Sequence, residues 1–515
     1  MQIFLMPTAN DKRIARNTAY LYGRMLLTMF VSLYTSRVVL DVLGVSDYGI
    51  YNVVGGIVII LNFLNGTMSG ATSRFLSFEL GKGDDVALRK IFSAAITVHA
   101  LLAIILLILA ETVGLWYVNT NLVIAPERMA AANWTYQFSV LAAVLTVMQM
   151  PFVGSIMAHE AMGYYAVVAI VNVLLKLAVV LALLFLPTAD NLIAYAALIL
   201  VASAVVAFMY MAYCRRHYAE CRWSLHNDKT SVRRLLSFCS WDVFGNLCFT
   251  MRAQGMLVVL NRFGGTVLNA AGGLCATVSS VVGGFAGSII TAFRPQIIQQ
   301  YARADYRYML QLLDNCARYS LLLLGLMVTP MILCIDTLLG IWLVDIPPYT
   351  AVFCRLALIA VYGELLNTVL AVGIHATGRV ARISFISGSL YLLELPMMWL
   401  LLRWSENPPV IYCVHIVMVF VIVYVNSLIL NVQLPSFGMC RFWWRGVAVP
   451  MAINLVCFAV TFFLTPRGGN GLLILVECTA LSAVLLGALS WMFAIDGEMR
   501  RLIIEKVRQK FHKSI

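Results

Sequence analysis

Apolar residues run along this chain in stretches of about 20, the length a helix needs to cross hydrocarbon, separated by short charged or Pro/Gly breaks. Read that way, the pattern predicts about fourteen spans, near 17–40, 48–72, 90–113, 134–158, 164–186, 191–213, 238–261, 266–292, 312–335, 352–375, 383–403, 409–431, 446–465 and 472–494. The connections are too short to hold a soluble domain. The expected fold is an all-α polytopic membrane protein.

Polar residues interrupt this pattern at telling places. Arg24 lies about 10 Å inside the first span at ~1.5 Å rise per residue. An unpaired arginine in hydrocarbon costs at least ~2.5 kcal/mol, so Arg24 should face protein or water. Asn17, Tyr20, Thr28 and Thr35 lie near its helical face and form a polar strip with it. The second span carries Asn62, Asn65, Ser69 and Ser73 at helical three-and-four spacing. Two asparagines are more polar than close packing needs, which makes Asn62 and Asn65 cavity candidates. The corresponding stripe in the eighth span, Ser280, Gly284, Gly287 and Thr291, is explained by small-residue packing. The seventh span has Asp242 and Asn246 on one face with Thr250, and Arg252 off it. Lys176, Glu364 and Glu394 are also deep; they suit either ion coupling or buried pairs that fix helix packing.

The chain repeats itself at an offset near 220 residues. VVLDVLG (Val38–Gly44) returns as VVLNRFG (Val258–Gly264), and Arg74 as Arg294. Gly81-Lys82-Gly83-Asp84 returns as Ala302-Arg303-Ala304-Asp305. A weaker match pairs Ala161-x-Gly163 with Ala376-x-Gly378. Six spans duplicated, with two more appended, would explain these matches. An even number of spans per copy makes the repeats parallel, related by an axis along the membrane normal. The expected organisation is a lobe over 1–213, a linker over 214–237, a second lobe over 238–432, and the last two spans with a tail over 433–515.

Composition agrees: mean hydropathy is +0.88 and charged residues make up 12%, about half of a soluble domain's share. The net charge of +12 would suit nucleic acid, but its distribution does not. About 26 Lys and Arg lie on the side shared by both termini, and about four (Arg128, Arg262, Arg403, Arg467) on the other. By the positive-inside rule both termini are cytoplasmic, and the charge reports topology with some attraction to anionic headgroups. No cleavable signal is expected, since the basic residues follow the short apolar start; the first span should direct insertion. Most of the twelve cysteines fall within spans. Cys214, His217, Cys221 and His226 share a loop, but at spacings that match no standard zinc site, and no metal is expected. The chain has no GxSxG, HExxH or GxxxxGK[ST] motif, so no enzyme chemistry is expected.

With these residues in view, the chain resembles the polysaccharide-exporter branch of the multidrug/oligosaccharidyl-lipid/polysaccharide (MOP) superfamily, the O-antigen or capsule repeat-unit flippases. The resemblance is carried by Arg37-Val38-Val39-Leu40 through LGVSDYGIYNVV, by SRFLSFELGKGD (Ser73–Asp84) and by FRPQIIQQYARAD (Phe293–Asp305). It implies a MATE-like V of two six-helix lobes plus two C-terminal helices, which rock between inward- and outward-open states. It implies movement of undecaprenyl-diphosphate-linked oligosaccharide from the cytoplasmic to the periplasmic leaflet of the bacterial inner membrane. Its implied partners are that lipid-linked cargo, membrane lipids, and the polymerase and other envelope-polysaccharide assembly proteins. It implies no cofactor beyond H+ or Na+ coupling. Family members line the central cavity with basic side chains; Arg24 matches in position, and Arg252 matches more loosely. The alternatives are a drug/cation antiporter of the same superfamily, a membrane polysaccharide polymerase or ligase, and a non-transporting scaffold.

Overall fold

Long apolar runs in a chain with no buried partner for their backbone must satisfy their own hydrogen bonds, and they do so as helices. The computed structural model describes residues 16–25, scattered positions between 27 and 51, and residues 70–120, 124–185, 190–221, 229–343, 346–465 and 471–494. Among the described residues there is no strand, and twelve helices are long and apolar enough to cross a membrane. They are α1 (Asp85–Thr120), α2 (Pro126–Ala158), α3 (Met162–Leu183), α4 (Asn191–His217), α5 (Lys229–Gly264), α6 (Ala270–Ala302), α7 (Tyr306–Leu333), α8 (Thr350–Thr377), α9 (Ala381–Ser405), α10 (Val410–Gln433), α11 (Met439–Leu464) and α12 (Gly471–Phe493). Each falls on one of the expected spans from the third to the fourteenth. Of the expected span at 17–40, residues 17–25 and scattered positions up to 39 are described and helical, whereas the expected span at 48–72 lies largely outside the described residues.

The helices outrun their apolar windows. α5 starts at Lys229 instead of 238, and α6 continues through Phe293, Arg294 and Pro295 to Ala302 instead of stopping at 292. Hydropathy marks only the stretch in hydrocarbon, whereas helical hydrogen bonding persists into the interface, where Arg and Lys are solvated. Only five residues, 265–269, separate α5 from α6. A Cβ on Gly272 would lie 2.7 Å from Leu260 and 2.9 Å from Leu257. Residues fifteen apart on a straight helix are ~22 Å apart, so the chain doubles back between Leu260 and Gly272.

The chain divides into two compact units, one of Asn17–Val243 and one that takes in Phe244–Ile515. In the first, α4 packs along α2 and α3, and α1 along α2. Ion pairs close it at both ends. At one, Arg128 donates from Nε to Asp47 at 3.0 Å and from Nη1 to Asp190 at 2.6 Å. Asp190 also caps α4, accepting from the Leu192 N–H at 2.9 Å. Burial opposes its ionisation, but Arg128 and the cap N–H groups outweigh that and hold the carboxyl below the usual carboxylate range. At the other end, His159, just beyond α2, meets Glu220 at 2.5 Å and stacks on Tyr218 with ring centroids 4.0 Å apart. Burial again opposes ionisation of Glu220, and the His159 hydrogen bond outweighs it, so this carboxyl also sits low.

In the second unit α10 packs between α8 and α9, and α7 receives α8, α11 and α12. Gly325 on α7 allows α11 to dock. The Asn454 side chain fills the space a Cβ would need and donates to the Leu321 carbonyl at 2.9 Å.

The repeated loop tetrads fold alike within their own units. Gly83 (φ +73°) and Ala304 (φ +60°) are both left-handed. Each precedes an aspartate that caps the next helix: Asp84 accepts from the Ala87 N–H at 2.9 Å, and Asp305 from the Tyr308 N–H at 3.1 Å. The weaker match does not share this geometry. There the left-handed residue is Glu160 in one copy, ahead of Ala161, and Gly378 in the other.

Candidate functional site

Charged side chains that sit deep in an apolar helix must find one another or water. In the Phe244–Ile515 unit four of them meet. Glu364 and Glu394 lie near the midpoints of α8 and α9, Arg252 comes from α5, and His415 from α10. Arg252 Nη2 donates to Glu364 Oε1 at 3.0 Å, and Arg252 Nη1 stands 3.1 Å from His415 Nε2. His415 Nε2 is also 3.3 Å from Glu364 Oε1, and its Nδ1 is 2.8 Å from Glu394 Oε1. The Arg252 guanidinium lies over the Phe249 ring at 4.8 Å and the Tyr391 ring at 5.7 Å. A second polar chain adjoins it. Asn367 donates to the Tyr391 hydroxyl at 2.8 Å, Asn426 donates to Asn367, and Ser387 donates to Asn426 at 2.8 Å.

Access is unequal. The Glu364 side chain is 29% exposed, whereas that of Glu394 is 0% exposed, and Glu394 Oε2 has no hydrogen-bond partner. The imidazole therefore bridges an accessible carboxylate and a sealed one. With His415 neutral, Nδ1–H donates to Glu394 and Nε2 accepts from Arg252. With His415 doubly protonated, each nitrogen has a carboxylate to receive its proton. Arg252 supplies one positive charge and the glutamates two negative ones, so the group balances when it holds one further proton.

In the Asn17–Val243 unit, Arg24 is half-buried, with its guanidinium 4.9 Å from the Tyr165 ring centre. Its Nε has no hydrogen-bond partner, and no carboxylate pairs with it among the described residues. Tyr210 of α4 lies within electrostatic reach. A cation held against an aromatic face keeps its N–H donors for another acceptor.

The remaining candidates are dispersed. Lys176 is exposed on α3, in the Asn17–Val243 unit. Asp242 is half-buried and Asn246 exposed, the latter accepting from Thr250 through its own carbonyl at 2.9 Å. Asn62 and Asn65 lie outside the described residues. Cys214 donates to the Phe152 carbonyl at 3.4 Å, and His217 turns to the Tyr213 carbonyl at 2.9 Å. His226 lies outside the described residues. The sequence pattern singled out none of His415, Tyr391, Asn367, Asn426 and Ser387. These residues come from three helices and share no spacing; the only hint was several polar residues within otherwise apolar spans.

A family described as polysaccharide biosynthesis protein matches residues 14–301. The chain belongs to that family. Among curated proteins none matches it. Solved structures that resemble it are MATE transporters. A point mutant of the Vibrio cholerae MATE transporter VcmN aligns over 84% of this chain and 98% of its own, at 14% identity and TM-score 0.66. A MATE protein in its bent conformation aligns over 83% and 96%, at 12% identity and TM-score 0.68. An outward-facing multidrug resistance MATE family transporter of the MOP superfamily aligns over 82% and 96%, at 11% identity and TM-score 0.65. At these identities the likeness is one of fold. This member of the polysaccharide biosynthesis family thus has the MATE fold.

Proposed function

We propose that this chain is a flippase that moves undecaprenyl-diphosphate-linked oligosaccharide from the cytoplasmic to the periplasmic leaflet of a bacterial inner membrane, by alternating access. The supporting observation is a polysaccharide-biosynthesis family chain built, over its described residues, almost wholly of membrane helices in a MATE fold. A diphosphate cannot cross hydrocarbon alone, because burying its charge is prohibitive without paired cations. Arg24 is suited to that pairing, since its guanidinium rests on a tyrosine and, among the described residues, on no carboxylate. On this reading residues 1–213 and 238–432 are the two lobes, both termini are cytoplasmic, Asn62, Asn65, Asp242 and Asn246 border the hydrated path, and the chain forms no bonds in its cargo. Polymerase and other assembly proteins would act on what it delivers.

Proton coupling fits the Arg252–Glu364–Glu394–His415 group better than sodium does. Sodium needs several free oxygen ligands, whereas Arg252 and His415 already engage the Oε1 atoms of both glutamates. A proton entering at Glu364 could pass through Nε2 and Nδ1 of His415 to Glu394. Lys176, in the Asn17–Val243 unit, is not among the four side chains that meet in this group. The MATE likeness favours one rival, a drug/cation antiporter. Reconstitution with a lipid-linked oligosaccharide separates the two. The flippase reading expects the oligosaccharide to change leaflet, faster with a proton gradient. A reconstituted protein that exchanges cationic drugs for protons and leaves the oligosaccharide in place would overturn it.

A further inference from the structure

The twelve cysteines take no part in the transport reading, yet several of them meet. Cys334 stands between α7 and the short helix Ile335–Trp342, with non-helical backbone angles (φ −110°, ψ 23°). Its thiol hydrogen-bonds to that of Cys478 on α12. Both side chains are buried, and both are free thiols. The packing around them agrees. A Cβ on Gly471 would lie 2.9 Å from Thr337 Cγ2, so the start of α12 rests on the helical turn that follows Cys334. Of the twelve spans α12 has the smallest buried share, 17%, so apolar packing ties it to its unit only weakly.

We infer that Cys334 and Cys478 become joined by a disulfide that fastens α12 to the end of α7. In the proposed topology, on which this reading rests, the end of α7 and the start of α12 face the periplasm, a compartment where disulfides form and persist. The oxidant is a periplasmic protein disulfide. One thiolate attacks it to give a mixed disulfide, and the second thiolate displaces the oxidant as a dithiol. Two S–H bonds are lost and one Sγ–Sγ bond forms, while two protons and two electrons leave with the oxidant. α12 is synthesised after α7, so the two thiols are sealed from the oxidant only once α12 has packed. The break in helix geometry at Cys334 lets its sulfur close the remaining gap. Cys275 and Cys354 also hydrogen-bond to each other, but both sit within regular helices and Cys275 shares its contact with Tyr412 and Ser279. Cys214 and Cys221 make a third thiol contact, at the connection that the same topology puts in the cytoplasm, where thiols stay reduced.

The test is a thiol map of the full chain, expressed in bacteria with or without a periplasmic thiol oxidase and quenched in denaturant with N-ethylmaleimide. From cells with the oxidase, the peptides holding Cys334 and Cys478 should be recovered joined, two hydrogens lighter than their sum. From cells without it they should be recovered apart, each carrying maleimide. Cys214 and Cys221 should carry maleimide in both. Cys334→Ser should leave Cys478 fully modified, and should abolish the fall in thermal stability that a reductant causes in the wild type. Maleimide on all four cysteines in cells with the oxidase overturns the disulfide and leaves the topology standing. A bridged Cys214–Cys221 pair with Cys334 and Cys478 modified reverses the topology, and the disulfide falls with it.

Discussion

Arg24 and Glu394 are both charged and within helices, yet their surroundings assign them different tests. Arg24 rests on an aromatic ring with an unpartnered Nε. If it meets the cargo diphosphate, Arg24→Ala should lower transport per inserted molecule by one to two orders of magnitude, the worth of one charge-assisted contact at ~1.5–3 kcal/mol. Arg24→Lys should keep part of the activity, since charge survives without the planar fork. Full transport by the Ala variant at normal abundance would remove Arg24 from the mechanism. Glu394 is sealed, with one oxygen on His415 and the other unpartnered. Glu394→Gln imitates its protonated form and should leave the protein folded while abolishing the response of transport to a proton gradient. A Gln variant that still responds to the gradient as wild type does would exclude Glu394 as the proton's destination.

At the level of elements, the caps and latches set local stability. Ala304 bears a left-handed backbone that its repeat counterpart assigns to Gly83. Ala304→Gly should raise thermal stability by about 1 kcal/mol, and Gly83→Ala should lower it by a similar amount, because an L side chain at positive φ is strained. Thermal unfolding in a fixed detergent reads both. The His159–Glu220 latch carries a pH dependence. The Glu220 carboxyl sits below its ordinary 4.5 in the folded protein, so its contribution is present above that pH and is lost as acid protonates it in the fold. Glu220→Gln should remove this acid-sensitive component while the loss near Asp190 remains. Stability profiles of the two proteins that stay parallel down to about pH 3 would contradict the assignment.

For the whole molecule the testable property is orientation. The topology proposed from the bias of Lys and Arg has the Cys214–Ser237 connection and both termini in the cytoplasm. A cysteine in place of Lys229 should be labelled only after the inner membrane is opened; labelling by an impermeant reagent in cells with an intact inner membrane would reverse the topology. Orientation depends on charge counts summed over many loops, so no single contact in the fold decides it.

The span plan was legible from the chain alone because membrane helices satisfy their own backbone, which makes length and hydropathy nearly sufficient. All twelve described spans lie where apolar runs placed them, and several run past those runs, as where Lys229 or Arg294 and Pro295 extend a helix into the interface. The two loop tetrads were visible as a repeat, and the structure adds that each ends in an Asp cap. The meeting of Arg252, Glu364, Glu394 and His415 was not. Each of the glutamates was visible as a costly charge in hydrocarbon, but its partner lay on another helix at no characteristic spacing. His415 stands alone near the start of α10, with nothing in its own span to mark a partner. Sequence determined that these charges had to be compensated, because the energetic cost is local to each residue. Only the packing of α5, α8, α9 and α10 decided that they compensate one another, because which helices touch depends on side-chain fit across the whole unit.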